Sequence, residues 1–127
     1  MYKAKAPFRL GLAGGGTDVS PYSDIHGGAV LNATVSLFAE TTITPREDGI
    51  ITISDGSKTQ EYTVTNQLEY IGSLDLAKAV YNVIQSKYPF DTKGFDLVTI
   101  SDVQTGSGLG TSSTIVVSIL GAFLEWR

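Results

Sequence analysis

The sequence contains no cysteine. That excludes a disulfide framework and every metal site built on thiolates, and it fits a reducing, cytoplasmic setting. One histidine, His26, stands alone, so no paired-histidine metal site can form. Nine basic residues are set against thirteen acidic ones, for a net charge of −4, and they form no patch. A nucleic-acid surface is therefore disfavoured, including the RNA-binding role that β-α architectures of this kind also serve. Long hydrophobic runs are missing too. The longest apolar stretch, Ile115–Leu124, is broken by Ser118 and falls well short of the ~20 residues a membrane-spanning helix needs. Met1–Pro7 has no apolar signal core. No membrane partner is expected.

What the chain has in quantity is glycine, fourteen residues in 127, gathered into two unusual stretches. The second is Asp102-Val-Gln-Thr-Gly-Ser-Gly-Leu-Gly-Thr-Ser-Ser-Thr114. Before it, Gly94–Ser101 reads as a strand; after it, Ile115–Arg127 reads as a helix. Gly106, Gly108 and Gly110 allow a tight turn, positive φ and close approach of a ligand to the backbone. Thr111, Ser112 and Ser113 sit where the helix begins, so free N–H groups and the positive end of the helix dipole face the turn. Such a place suits a phosphate, with hydroxyls as further donors or as a Mg²⁺ ligand. Asp96, Asp102 and Glu125 are the charged residues between 94 and 126, so anion binding here rests on backbone dipoles rather than on Lys or Arg. The plain alternative is a glycine-rich turn with a Ser/Thr cap.

The other stretch begins at Ala6-Pro7-Phe8-Arg9 and continues as Leu12-Ala13-Gly14-Gly15-Gly16-Thr17-Asp18. A strand ending in three glycines leaves open backbone beside whatever it meets. Asp18 can accept hydrogen bonds from adjacent sugar hydroxyls, and Arg9 can hold an anionic group in its rigid fork. The structural alternatives are a turn residue and a surface strand residue. His26 reads as a loop residue able to touch a polar substrate. Glu69 and Tyr70 are candidates to border a nucleotide base.

Between these stretches the pattern is of period two and then of period 3.6. Strands are expected at 3–12, 29–36 and 37–44, then at 50–54 and 60–65 around the turn Asp55-Gly56-Ser57-Lys58, so that the middle third forms an antiparallel meander. A helix follows with Ser73 as N-cap. Ala77, Val80, Tyr81, Ile84 and Tyr88 line its inner face, Lys78, Asn82, Gln85 and Lys87 face water, and Pro89 ends it. Tyr81, Tyr88, Phe95 and Phe123 are core by spacing. The fold class is α+β, an antiparallel or mixed sheet with helices packed on one face. The last helix is apolar nearly all the way round, as buried helices are. It carries no stop signal, and the chain is expected to be a piece of a longer protein.

Taken together, the two glycine stretches resemble the GHMP kinases, the family of galactokinase, homoserine kinase, mevalonate kinase and phosphomevalonate kinase. The first motif resembles Ala6-Pro7-x-Arg9-x-x-Leu12-x-Gly14-x-x-Thr17-Asp18, and the ATP phosphate loop resembles Gly106-Ser107-Gly108-Leu109-Gly110-Thr111-Ser112-Ser113. Within the family, the runs at 9–18, 26–34 and 108–114 are similar to those of sugar kinases acting on D-glycero-D-manno-heptose 7-phosphate. The resemblance covers essentially the whole chain. It implies an N-terminal domain of the ribosomal-protein domain-2-like type over residues 1–127, with a C-terminal domain to follow. It also implies ATP held by 106–113 with Mg²⁺ on Ser112. Sugar phosphate would be held by Arg9, Gly14, Gly15, Gly16, Thr17, Asp18 and His26, with Arg9 as a catalytic cation at the transferred phosphoryl group. The implied reaction moves the γ-phosphoryl of ATP to the anomeric hydroxyl of heptose 7-phosphate, giving the 1,7-bisphosphate. Fucokinase- or galactokinase-like activity is the alternative in the class, and a non-catalytic nucleotide-binding module is the alternative outside it. The chain departs from the family pattern at Gln104-Thr105, where prolines usually precede the loop. The family's Mg²⁺-binding acid, catalytic aspartate and third glycine motif fall after position 127, so this chain by itself is expected to be inactive. The sequence leaves the oligomeric state open.

Overall fold

The computed structural model describes residues 1–104 and 106–127. Thr105, half of the proline-replacing pair noted above, lies outside the described residues. The elements run β1 (Tyr2–Ala13), α1 (Tyr22–His26), β2 (Leu31–Pro45), β3 (Ile50–Ser54), β4 (Thr59–Thr63), α2 (Asp75–Lys87), β5 (Gly94–Ser101) and α3 (Thr111–Trp126). The strands form one mixed sheet in the order β1-β2-β5-β3-β4. The α+β reading holds, with helices on one face.

The expected meander does not form. β5 inserts between β2 and β3, antiparallel to the first and parallel to the second. Only β3 and β4 make the local hairpin, with Ile50 opposite Thr63 and Ser54 opposite Thr59. Local turn chemistry specified that hairpin. The insertion of β5 is a tertiary choice: Phe95 and Leu97 need burial on the face that Ile43, Ile51 and Ile53 already use, and the slot between β2 and β3 is the place that provides it. The two strands expected at 29–36 and 37–44 are one long strand, because Glu40 points to the solvent face and there meets Lys3 at 2.5 Å and Lys5 at 2.9 Å.

The inner face of the sheet packs on α2 and α3 through Ala77, Val80, Tyr81, Ile119, Ala122 and Phe123. Tyr81 is the hub. Its ring lies 5.5 Å from Phe95 and 6.3 Å from Phe123, and its hydroxyl donates to the Thr65 carbonyl at 2.6 Å. Burying such a ring while satisfying its hydroxyl avoids the cost of an orphaned polar group.

Four expectations for α2 need correction. Leu74, not Ser73, occupies the N-cap position, in the left-handed region at φ 56°. The Ser73 hydroxyl is buried without a hydrogen-bond partner, and α2 has no side-chain cap; Asp75 instead accepts from the N–H groups of Ile71 and Gly72, fastening the segment that leads into the helix. Lys78 does not face water: its side chain is fully buried. Its ammonium lies 3.0 Å from Asp75 and 5.5 Å from the Tyr62 ring centroid. Burial pulls the Lys78 pKa down, but the hydrogen bonds and charges of Tyr62 and Asp75 outweigh it and hold the pKa above the usual lysine value. Gln85 is also buried, bonding both ways to the backbone of Phe90. Tyr88, expected in the core, is exposed because α2 ends at Lys87 and the chain turns outward.

Candidate phosphate-binding site

The site is set by how α3 lies on the sheet. α3 runs antiparallel to β1: Trp126, near its end, packs on Tyr2 with ring centroids 6.5 Å apart. Midway, Gly121 sits so close that a Cβ there would fall 2.9 Å from Ala4 Cβ. The start of α3 therefore arrives over the far end of β1, where Arg9 lies. A Cβ on Gly110 would be 3.6 Å from Arg9 Nε and 3.8 Å from Cζ. The two glycine stretches, about ninety residues apart in sequence, thus meet through Arg9 and Gly110. Arg9 is exposed, and the ion pairs found among the described residues do not include it.

The loop has the backbone that its spacing predicts. Gly106, Gly108 and Gly110 take φ of 90°, 79° and 73°. α3 begins directly after Gly110, four residues ahead of the expected start, with no side-chain cap. The first-turn amides of Thr111, Ser112 and Ser113 have no intrahelical acceptor by geometry. With the helix dipole they make an anion site. The three hydroxyls separate into two kinds. Thr111 is buried, its Oγ1 3.3 Å from Ser107 Oγ and 3.5 Å from the Gln104 carbonyl, so its hydroxyl braces the loop from inside. Ser112 and Ser113 are exposed and free to meet a ligand. Leu109 is half-buried.

The first glycine turn is a knot rather than an open cradle. Thr17 Oγ1 donates to the Gly14 carbonyl at 2.7 Å and accepts from the Ala29 amide at 3.1 Å. The segment 14–18 is thereby fastened to 28–29. Gly15, Gly16 and Asp18 remain exposed, leaving Asp18 available to hydroxyl donors. His26 ends the short helix α1 and packs on Tyr22 in a tilted arrangement, ring centroids 5.0 Å apart. The Ser20 hydroxyl bonds to Asp24 in the same segment.

Gln67–Tyr70 line an open hollow of about 520 Å³. Asn82 on α2 holds this strap: it accepts from the Leu68 amide at 2.8 Å and donates to the Leu68 carbonyl at 2.9 Å and to the Tyr70 hydroxyl at 3.2 Å. Sequence reasoning assigned Asn82 to solvent, since an amide on an outer helical face carries no signal of what will pack there. No cluster of three or more His, Asp or Glu able to hold a metal occurs among the described residues. What these residues offer a Mg²⁺–nucleotide complex is the Ser112 hydroxyl as an oxygen ligand, together with amides for the phosphates.

A strand, a glycine loop with three left-handed residues, a helix N-terminus and an arginine beside it define an α+β domain with a candidate phosphate loop. Comparison with known proteins specifies which one. The family model for the GHMP kinases N terminal domain matches residues 75–127, which makes that stretch a GHMP kinase N-terminal domain. It is 46% identical over 127 residues to the D-glycero-alpha-D-manno-heptose 7-phosphate kinase of Campylobacter jejuni, with 98% of this chain and 37% of that protein covered. A crystal structure of a D-glycero-D-manno-heptose 1-phosphate kinase from Bacteroides thetaiotaomicron superposes with a TM-score of 0.94 at 51% identity, covering 99% of this chain and 42% of that one. An L-fucokinase/L-fucose-1-P guanylyltransferase of Bacteroides fragilis is 27% identical, with 96% of this chain and 15% of that protein covered. The chain thus spans well under half the length of the heptose kinases it matches.

Proposed function

We propose that residues 1–127 are the N-terminal, ATP-binding part of a cytoplasmic sugar kinase that transfers the γ-phosphoryl of ATP to the anomeric hydroxyl of a heptose 7-phosphate. The product is the 1,7-bisphosphate. The observation that carries this reading is the approach of Arg9 to Gly110, its Nε 3.6 Å from where a Cβ on Gly110 would stand, which sets a cation beside the amides that would hold the phosphates. The relatives named as heptose phosphate kinases supply the substrate class.

On this reading the loop 106–113 cradles the phosphates through backbone amides. Ser112 contributes an oxygen to Mg²⁺, which neutralises phosphate charge when bound. Arg9 steadies the transferred group, and Asp18 with the turn 14–17 takes sugar hydroxyls, with His26 at the edge. Glu69 and Tyr70 border the base. Phosphoryl transfer depends on such positioning and charge neutralisation more than on covalent chemistry by the protein.

The reading is tested by a ³¹P NMR titration of ATP against the chain, with and without Mg²⁺. Selective shift or broadening of the β and γ resonances is expected; an unperturbed spectrum in both conditions would remove 106–113 as an ATP site. In Ser112→Ala, Mg²⁺ should be taken up about fivefold more weakly by the bound complex, as for loss of one oxygen ligand; an unaltered metal titration would take Ser112 out of the metal site. In the longest natural form of the protein, Asp18→Ala should raise the sugar KM about a hundredfold and the ATP KM less than threefold, because a carboxylate bonded to two hydroxyls serves the sugar alone. Equal losses for both substrates would make Asp18 structural.

A second reading concerns where the substrate's phosphate sits. The Campylobacter relative is named for heptose 7-phosphate and the Bacteroides structure for heptose 1-phosphate, which place the attacking hydroxyl at opposite ends of the sugar. Offering each monophosphate separately, with L-fucose alongside, decides among them by which one consumes ATP.

A further inference from the structure

The way the chain leaves β5 has a side chain in it that the proposed chemistry does not use. The last rung of the β2–β5 ladder pairs Ala39 with Ser101. One residue on, Asp102 N–H donates to the Phe38 carbonyl at 3.0 Å. The return bond of that rung would normally go from Phe38 N–H to the Asp102 backbone carbonyl. Here Phe38 N–H donates to Asp102 Oδ2 instead, at 2.8 Å. The carboxylate completes the rung, so the main chain can depart from the sheet at this residue without orphaning an edge amide. Ser101 acts alongside: its hydroxyl donates to the Val103 carbonyl at 2.6 Å and accepts from the Val103 amide at 3.2 Å. The foot of the loop is thus fastened on both sides of Asp102.

The other end of this fastening matters for the site. Phe38 pairs with Pro7 on β1, and the register then shifts, the next pair being Arg9 with Thr34. Three residues of β2, Val35, Ser36 and Leu37, stand against Phe8 alone. Phe38 is therefore the residue at which β2 breaks step with the strand carrying Arg9. A bulge of this kind re-aims the side chains beside it, and Arg9 is the side chain beside it. Asp102 ties the foot of the phosphate loop to that same residue, while Arg9 lies beside Gly110 at the loop's other end, 3.6 Å from where a Cβ there would stand.

We propose that Asp102 is a positioning residue that sets the phosphate loop against Arg9 by replacing its own backbone carbonyl in the β2–β5 ladder. It acts through hydrogen-bond acceptance, and its negative charge is not required. The proposal rests on the reading of 106–113 as an ATP site, but the anchor itself is visible without nucleotide. If the loop spends a smaller fraction of time in the competent shape, apparent affinity falls by that fraction.

The experiment compares Asp102→Ala, Asp102→Asn and Asp96→Ala in the chain. Asp96 lies on the same strand but pairs with Arg46 at 2.6 Å, away from the loop. Two quantities are read: MgATP affinity by ³¹P titration, and hydrogen exchange at the Phe38 amide with ¹⁵N relaxation of residues 106–110 in the ligand-free chain. Asp102→Ala should lose about tenfold in MgATP affinity, as for a broken anchoring hydrogen bond. It should also expose the Phe38 amide to exchange and loosen the loop amides. Asp102→Asn keeps an acceptor, removes a charge near the phosphates, and should match or exceed the original chain in every readout. Asp96→Ala should leave both unchanged. Loss in Asp102→Asn equal to that in Asp102→Ala would overturn the anchor in favour of the charge. Full affinity and a protected Phe38 amide in Asp102→Ala would overturn it outright. If the unmutated chain fails to bind MgATP, the ATP reading falls, while the exchange and relaxation data still decide whether Asp102 orders the loop.

Discussion

Replacing Gly108 by valine is expected to abolish detectable MgATP binding, a loss of at least about a hundredfold, with the fold intact by circular dichroism. Two effects act together. Gly108 holds φ of 79°, which costs a β-branched residue roughly 1–2 kcal/mol or more. Apart from its chain neighbours, a Cβ built there meets no atom of the described residues within 4 Å. The second fact decides where the damage falls. Since the protein leaves that space open, the added side chain collides with whatever approaches the loop, and under the proposed function that is the nucleotide's phosphate chain. Gly110 offers a contrast. Its added Cβ would rest in ordinary contact with the Arg9 side chain at 3.6 Å, so Gly110→Ala would place its methyl against the arginine rather than in open space. The check is the ³¹P titration repeated on Gly108→Val. Binding within threefold of the original chain would show that phosphates do not sit on this backbone.

The loop was legible in the sequence because its requirements are local. Alternating glycines between a strand pattern and an apolar helix pattern specify left-handed residues and a helix start without reference to the rest of the molecule. The helix α2, the β3–β4 hairpin and the α+β class were legible for the same reason. The sheet order was not. The parallel pairing of β3 with β5 joins Ile50–Ser54 to Gly94–Val98, and no turn chemistry announces a contact across forty residues. Lys78 was misplaced because helical periodicity puts it on the flank, and only the packing of Tyr62 and Asp75 around it makes burial of its ammonium tolerable. Asp102 appeared in the sequence as a lone charge near a phosphate loop. That its side chain occupies a backbone position in the ladder needed the register of β2, which a bulge at residues 35–37 shifts away from simple alternation. The residues that bear on the ligand were thus readable one by one, and the residues that aim them were not.

The other large effect is expected at Gly28, in the knot that holds the first glycine turn. A Cβ there would lie 2.0 Å from the Thr17 carbonyl oxygen, 2.5 Å from its carbon and 2.9 Å from the Asp18 amide nitrogen. All three are backbone atoms, so no rotamer change relieves the overlap. Either the 14–18 segment shifts or the chain at 28–29 does, and each movement breaks bonds that Thr17 Oγ1 makes to both sides. Gly28→Ala should therefore cost about 2–3 kcal/mol, as overpacking does, and lower Tm by roughly 10 °C for a domain of this size. Gly27→Ala is the control one residue away. Gly27 has φ of 68°, but a Cβ there would meet nothing among the described residues within 4 Å, so alanine carries backbone strain of only about 1 kcal/mol. Calorimetry on both variants separates the causes. Equal losses would mean that strain in the 27–28 turn, not the fit of Gly28 under Thr17, governs stability here. Under the proposed function the same pair makes a second distinction. Gly28→Ala displaces Asp18 and so should lose sugar binding, yet α3 rests on β1 and β2 and not on this knot. MgATP should therefore still bind the folded fraction of Gly28→Ala with unchanged affinity.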